Sequence, residues 1–228
     1  MVEEHKHHEV HEHKDKMNNT TKILAVMIGI LLLFAVYNGY KISNIKQTVG
    51  GGSTSATNTN AFASIIPTGI PVVYGAELDV SYDDVSARTP QKADATIGKL
   101  GNLDRTLTLS GDNLKRYVAI GSKISCEYCC GAASIIFKDG TPACGCAHSY
   151  AMRGLAKYLL TKHGSEFSDE QILEELGKWK VLFFPDVHMQ KASILKSKGT
   201  ELNYINLASN LYRGIEQGAS GGSMVGGC

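Results

Sequence analysis

Apolar positions along the chain follow three different patterns, and each predicts a different element. From Ile23 to Tyr37 the run ILAVMIGILLLFAVY is unbroken, and the 18 residues between Lys22 and Lys41 carry no charge. As a helix rising about 1.5 Å per residue, that interval covers roughly 27 Å, close to the hydrocarbon thickness of a bilayer. The pattern predicts a transmembrane anchor over 23–40, with Tyr37 and Tyr40 at the interface. A cleaved signal peptide would have a shorter apolar stretch and a small-x-small cleavage site, which the flank YNGYKIS lacks. Lys6, Lys14, Lys16 and Lys22 precede the run, against Lys41 and Lys46 just after it. This excess puts the amino end in the cytoplasm and the rest of the chain outside, at a single-pass cell-membrane location.

The second pattern is polar. QTVGGGSTSATNTN, within residues 41–60, reads as a flexible linker, so the chain divides into a His-rich tail (1–22), the anchor (23–40), the linker (41–60) and one cysteine-rich domain (61–228). Pro67, Pro71 and Pro90 with Gly69 and Gly75 predict irregular structure with short extended pieces over 61–90.

The third pattern has helical period. It covers 91–101, then 112–120 with Leu114, Tyr117 and Val118 on one face, then Ser149–His163 with Ala151, Leu155, Tyr158 and Leu159, closed by Gly164. Ser168 and Gln171 form a capping box before ILEELGKWKVLFF, which Pro185 ends; Trp179, Phe183 and Phe184 extend its apolar face as core aromatics. Helices near 187–198 and 201–216 follow. Ser134–Phe137 and Thr141–Cys146 flank the turn Lys138-Asp139-Gly140 and read as a hairpin. The expected class is α+β, mainly helical: a transmembrane helix, a linker, and a small mixed region whose Cys-bearing β-hairpin packs on a helical C-terminal half.

Composition narrows the function. At 228 residues and 43% hydrophobic content, a core forms without disulfide staples. Beyond residue 46 the chain holds 17 basic and 17 acidic side chains, which gives no electrostatic footprint for nucleic acid. No G-x-S-x-G, phosphate loop or H-E-x-x-H is present, so hydrolase and nucleotide chemistry have no support. His5, His7, His8, His11 and His13 can chelate weakly, but acids and lysines interrupt them as in a solvated tail. Asp83-Asp84 reads as a solvated loop, His163 and His188 as helix-end residues, and Ser149 as a helix N-cap.

The chemistry concentrates in CEYCCGAASIIFKDGTPACGCAH, residues 126–148, which holds five of the six cysteines. In the expected hairpin, Cys126-x-x-Cys129 lies beside Cys144-Gly-Cys146, and Cys144, Cys146 and His148 leave one face of a strand. Candidate metal ligands are Cys126, Cys129, Cys130, Cys144, Cys146 and His148. Cys228 is added as an exchangeable ligand or resolving thiol at the end of a small-residue run, and Met152 as a weak candidate one helical turn from His148. Zinc or copper(I) suits such a set. An iron–sulfur cluster needs four cysteines and shelter from oxygen. Disulfides compete for the same sulfurs, although adjacent Cys129 and Cys130, with Cα atoms about 3.8 Å apart, are too close to pair with each other. A redox C-x-x-C would want a preceding strand and a following helix, where Gly131 and the hairpin stand instead.

CEYCCGA, CGCAHSYAMRGLAKYL, FSDEQILEELGKWK and the final MVGGC resemble a group of membrane-anchored, cysteine-rich proteins predicted in archaea and little-studied bacteria. The likeness spans roughly residues 70–228 and implies no established activity. CGC followed by a histidine is also similar to the PCYCGC-motif exported proteins, with Ala-Cys-Gly-Cys here, and no ligand is carried over from them. Cys129-Cys130-Gly131 is similar to the Cys-Cys-Gly motif of iron–sulfur subunits in disulfide reductases, with one copy and a different downstream spacing. The expected function is a non-enzymatic, membrane-tethered, extracytoplasmic protein for transition-metal capture, transfer or sensing, with no partner protein indicated. The alternatives are a thiol–disulfide or electron-transfer protein and a zinc- or disulfide-stabilised interaction module.

Overall fold

Short-range signals set most of the helices in the computed structural model, which describes residues 27–28, 64–217 and 224–226. The chain divides into Met1–Ser55 and Ala56–Cys228. In the first unit only Met27 and Ile28 are described, both helical and exposed. The expected anchor over 23–40 otherwise lies outside the described residues, as do the histidine tail, the linker and Cys228. Among the described residues no helix is long and apolar enough to cross a membrane.

The second unit is built from helices α1 (Gly75–Leu78), α2 (Pro90–Thr106), α3 (Gly111–Gly121), α4 (Ala147–Lys162), α5 (Asp169–Phe183), α6 (Pro185–Ser197) and α7 (Tyr204–Ala208). Two 3-10 turns, Tyr82–Asp84 and Asn210–Tyr212, complete it. Pro90 and Pro185 each sit in a first turn, where a fixed φ fits and a missing N–H costs nothing. The Ser168 hydroxyl accepts from Gln171 N, and the Gln171 side chain accepts from Ser168 N, which is the expected capping box. The helix expected over 201–216 is instead α7 and a 3-10 turn. Ser209 between them is extended, and its hydroxyl accepts from Leu211 N.

The α+β expectation is corrected here. Among the described residues there is no strand, only isolated bridges pairing Ile124 with Ser209 and Ile136 with Pro142. Pro142 cannot donate to a ladder, so the hairpin expected over 134–146 closes as a turn, with Phe137 N bonded to Thr141 O at 2.8 Å and Ala143 N to Ile135 O at 3.2 Å. The Cys144 carbonyl, which a strand would offer to its neighbour, accepts from Arg153 Nη1 at 2.8 Å.

The core places α4 at the centre. Ile97 and Leu100 of α2, Met152, Leu155 and Leu159 of α4, and Leu176, Trp179 and Phe183 of α5 share one buried cluster. Gly154 lets α2 and α4 touch backbone to backbone: a Cβ there would sit 2.0 Å from Leu100 O. Arg153, fully buried, places Nε 2.7 Å from Asp104 Oδ2, and Lys157 Nζ lies 2.7 Å from Asp104 Oδ1. The irregular segment before α2 is fixed on α5 by phenols, since Tyr74 and Tyr82 both donate to Glu175 Oε2, at 2.8 and 2.7 Å.

Candidate metal centre

Residues 122–146 join α3 to α4 and are held by side chains reaching in from elsewhere. Arg213 donates to the carbonyls of Ala132 (2.8 Å) and Gly131 (2.9 Å), and Asn210 Nδ2 to those of Ala133 (2.9 Å) and Ser122 (3.2 Å). The Ser125 hydroxyl donates to Asn210 Oδ1 at 2.7 Å. At Glu127 the backbone takes φ 59°, a conformation that a glutamate adopts only under constraint. Tyr128 N bonds back to Cys126 O at 2.6 Å, a γ-turn of the rare positive-φ kind. The constraint is the Glu127 carboxylate, which accepts from buried Lys180 Nζ at 2.9 Å and from Gly214 N at 2.9 Å. This turn aims Cys126 and Cys129 at one point.

Cys146 and His148 reach the same point from the start of α4. Cys146 is the N-cap, its Sγ accepting from Ser149 N at 3.4 Å, and His148 lies in the first turn. One donor atom from each of Cys126, Cys129, Cys146 and His148 falls within 4.8 Å of every other. A tetrahedral zinc with bonds of about 2.0–2.3 Å needs ligand separations of roughly 3.3–3.8 Å, so small movements suffice. Cys126 Sγ and Cys146 Sγ are 3.3 Å apart. Cys129 is also disulfide-bonded, so its sulfur is available to a metal only after reduction, whereas Cys126 and Cys146 are free thiols.

The imidazole is the most informative member. His148 is fully buried; its Nε2 lies 2.8 Å from the carbonyl of Val225, which fixes the proton on Nε2. Nδ1 then carries a lone pair, and it has no hydrogen-bond partner. Phe183 and Phe184, at the end of α5, pack against the ring with centroids 4.7 and 5.0 Å away and keep water out. Val225 is anchored in turn by its N–H to Phe183 O at 2.9 Å.

Electrostatics favour a single thiolate in the pair. The hydrogen bond from Cys126 pulls the Cys146 thiol well below its usual range against the opposing cost of burial, with Ser149 adding to the pull. The hydrogen bond to Cys146, followed by burial, pushes the Cys126 thiol up. Cys146 is thus the more readily deprotonated of the two, and a bound cation would displace protons from the pair.

The expected ligand set is thus redistributed. Cys130 pairs with Cys144 in a disulfide, with Cα atoms 6.6 Å apart, rather than joining Cys126 and Cys146. The cause is the missing strand: His148 sits on a helix, so the same-face alternation of Cys144, Cys146 and His148 does not exist. Ser149 is not the cap; it is buried behind Cys146, its Oγ 3.4 Å from the sulfur. Met152 is fully buried in the core. His163 caps α4 beside Glu77 and Glu166, while His188 is fully buried in the first half of α6 and donates from Nδ1 to Phe184 O at 2.8 Å. Sequence reasoning missed Val225, Arg153, Asn210 and Arg213. Only Arg153 left a signal there, as a charge set among the apolar positions Ala151, Met152, Leu155 and Ala156. Neither a protein-family model, nor a curated protein, nor a solved structure matches this chain.

Proposed function

We propose that the protein binds a transition metal at Cys126, Cys146 and His148, with Cys129 as fourth ligand when reduced, and that it works in metal capture, transfer or sensing. One observation carries the reading: a buried imidazole whose Nε2–H is tied to the Val225 carbonyl, leaving an unpartnered Nδ1 beside a buried dithiol. Metal-binding histidines are oriented in this way by an outer hydrogen bond. Zinc suits two or three thiolates with one imidazole, and three standing ligands leave a position open for exchange. Copper(I) is the competing cargo because thiolates are soft. The Cys130–Cys144 disulfide supports an oxidising, extracytoplasmic setting. The stretches that carry the resemblance to membrane-anchored cysteine-rich proteins supply the parts of this centre: CEYCCGA gives Cys126 and Cys129, CGCAH gives Cys146 and His148, and MVGGC gives Val225.

Metal analysis of the full chain, purified under mild reduction, tests the proposal. One equivalent of zinc is expected, and His148→Ala should lose most of it while keeping its helical circular dichroism. A reduced chain that retains neither zinc nor copper(I) overturns the reading.

A further inference from the structure

Two sulfur groups in the second unit share one member. Cys146 belongs to the set with Cys126, Cys129 and His148, and its Sγ also lies within 4.8 Å of the sulfurs of Cys130 and Cys144. A buried dithiol and a disulfide therefore meet at a common atom. The residues are graded in depth: Cys126 is fully buried, Cys146 and Cys144 are 7% and 6% exposed, and Cys130 is exposed. Cys126 Sγ is 3.3 Å from Cys146 Sγ, already in van der Waals contact. Thiol–disulfide exchange requires a cysteine sulfur beside a disulfide sulfur, and Cys146 Sγ stands within 4.8 Å of both sulfurs of the Cys130–Cys144 bond.

We propose that the cysteine segment carries out an internal disulfide transfer, in which Cys146 moves the bond from Cys130–Cys144 to Cys126–Cys146. In the first step the Cys146 thiolate attacks Cys130 Sγ. The Cys130–Cys146 bond forms, the Cys130–Cys144 bond breaks, and Cys144 leaves as thiolate. In the second step Cys126 gives up its proton and attacks Cys146 Sγ; the Cys126–Cys146 bond forms and Cys130 leaves. Two electrons pass from the inner pair to the outer pair, one proton passes with them, and no external oxidant is consumed because the resident disulfide accepts the electrons. Attack on Cys130 is preferred over attack on Cys144, since the latter would close a bond between residues only two apart. The inner dithiol is thereby oxidised, and its electron pair arrives at exposed Cys130, where a thiol–disulfide partner in solution can meet it.

The transfer stands without metal binding; its coupling to metal release rests on the function proposed above. In that coupling, oxidation of Cys126 and Cys146 removes two ligands and expels the ion, while a bound ion holds both sulfurs and blocks the transfer.

Disulfide mapping decides the matter. The full chain is stripped with chelator, equilibrated at pH 8, quenched with acid, alkylated, and mapped by peptide mass spectrometry. In wild type both connectivities are expected, Cys130–Cys144 and Cys126–Cys146. Cys126→Ser should halt after the first step, giving a Cys130–Cys146 bond, loss of Cys146 alkylation and new alkylation at Cys144. Cys146→Ser should freeze Cys130–Cys144 and leave Cys126 alkylatable. Zinc should suppress the second connectivity in wild type. If Cys126→Ser is folded by circular dichroism yet keeps Cys130–Cys144 with Cys146 alkylated, the transfer does not occur. If that variant fails to fold, the wild-type map decides, and a map that keeps Cys130–Cys144 with neither a Cys130–Cys146 nor a Cys126–Cys146 bond overturns the proposal. Zinc binding with fixed connectivity refutes the transfer alone, and shifting connectivity without zinc binding refutes the metal reading alone.

Discussion

Replacing Gly226 by alanine should weaken metal binding from outside the ligand set. Gly226 has φ 82°, and a Cβ on it would lie 2.4 Å from Ile97 Cδ1 and 3.6 Å from His148 Nε2. An L-residue in that conformation costs about 1–2 kcal/mol, before any displacement of the Ile97 methyl. Docking of this segment is itself worth a similar amount: Val225 is 3% exposed, and burying such a side chain contributes about 1.5–3 kcal/mol. The substitution therefore cancels most of what seats Val225, and the bond from His148 Nε2 is lost in a large share of molecules. Loss of an orienting outer hydrogen bond lowers metal affinity roughly 10- to 100-fold. A zinc-competition titration on the full chain reads the affinity, and nitrogen chemical shifts of the imidazole read the tautomer. Gly199→Ala is the control, since its φ of 69° imposes the same backbone cost with nothing within 4 Å of the added methyl. Affinity within twofold of wild type for Gly226→Ala, or an equal loss for Gly199→Ala, refutes the coupling between Val225 and His148.

Three further outcomes are expected. Arg153→Met strands Asp104 with Lys157 alone and frees the Cys144 carbonyl; it should cost about 3 kcal/mol, lowering the melting temperature by roughly 6–12 °C, whereas pairing it with Asp104→Leu should recover much of the loss. A single variant within about 1 kcal/mol of wild type would show the ion pair to be dispensable. The His163 pKa is raised because hydrogen bonds to Glu166 and Glu77 outweigh burial, so the stability it contributes is complete below its unfolded value of about 6.5 and is lost as pH rises through the higher folded value. Glu77 is lowered, first by the hydrogen bond from Tyr158 and then by His163, so its contribution is lost as pH falls through that depressed value. Denaturant midpoints for wild type should drop from pH 6 to pH 8 by more than those of His163→Phe, and parallel profiles would exclude the linkage. Ser168→Ala should cost about 1 kcal/mol through the α5 N-cap, seen in urea unfolding; an unchanged midpoint would mean that the capping box adds nothing.

The features legible in the sequence were those decided within a turn or two of chain. The Ser168–Gln171 box and the buried positions of Trp179, Phe183 and Phe184 follow from local pattern, and the structure places all of them so. α4 opens at Ala147 rather than Ser149 because its cap is Cys146, a sulfur outside the usual Ser, Thr, Asp and Asn set. That two-residue difference decides which sulfurs meet: once His148 lies on a helix, Cys144 turns away toward Cys130. Alternation and turn residues argued for the hairpin, but Pro142 and the claim of Arg153 on the Cys144 carbonyl outweigh them. The remaining determinants are long-range. Val225 is 77 residues from His148 and Arg213 is 81 from Ala132, separations at which periodicity carries no information.

Because residues 122–146 are secured by guanidinium and amide side chains instead of a ladder, their attachments can be released one at a time. Losing the Arg213 bonds to Gly131 and Ala132 leaves the Arg153 bond to Cys144 intact, and the reverse also holds. A sheet would give up its amides to solvent together, whereas this segment should exchange them in small, uneven openings that lie well below the free energy of global unfolding. If a metal is bound as proposed, its exchange is expected on the timescale of such loop openings, while α2, α4 and α5 stay closed.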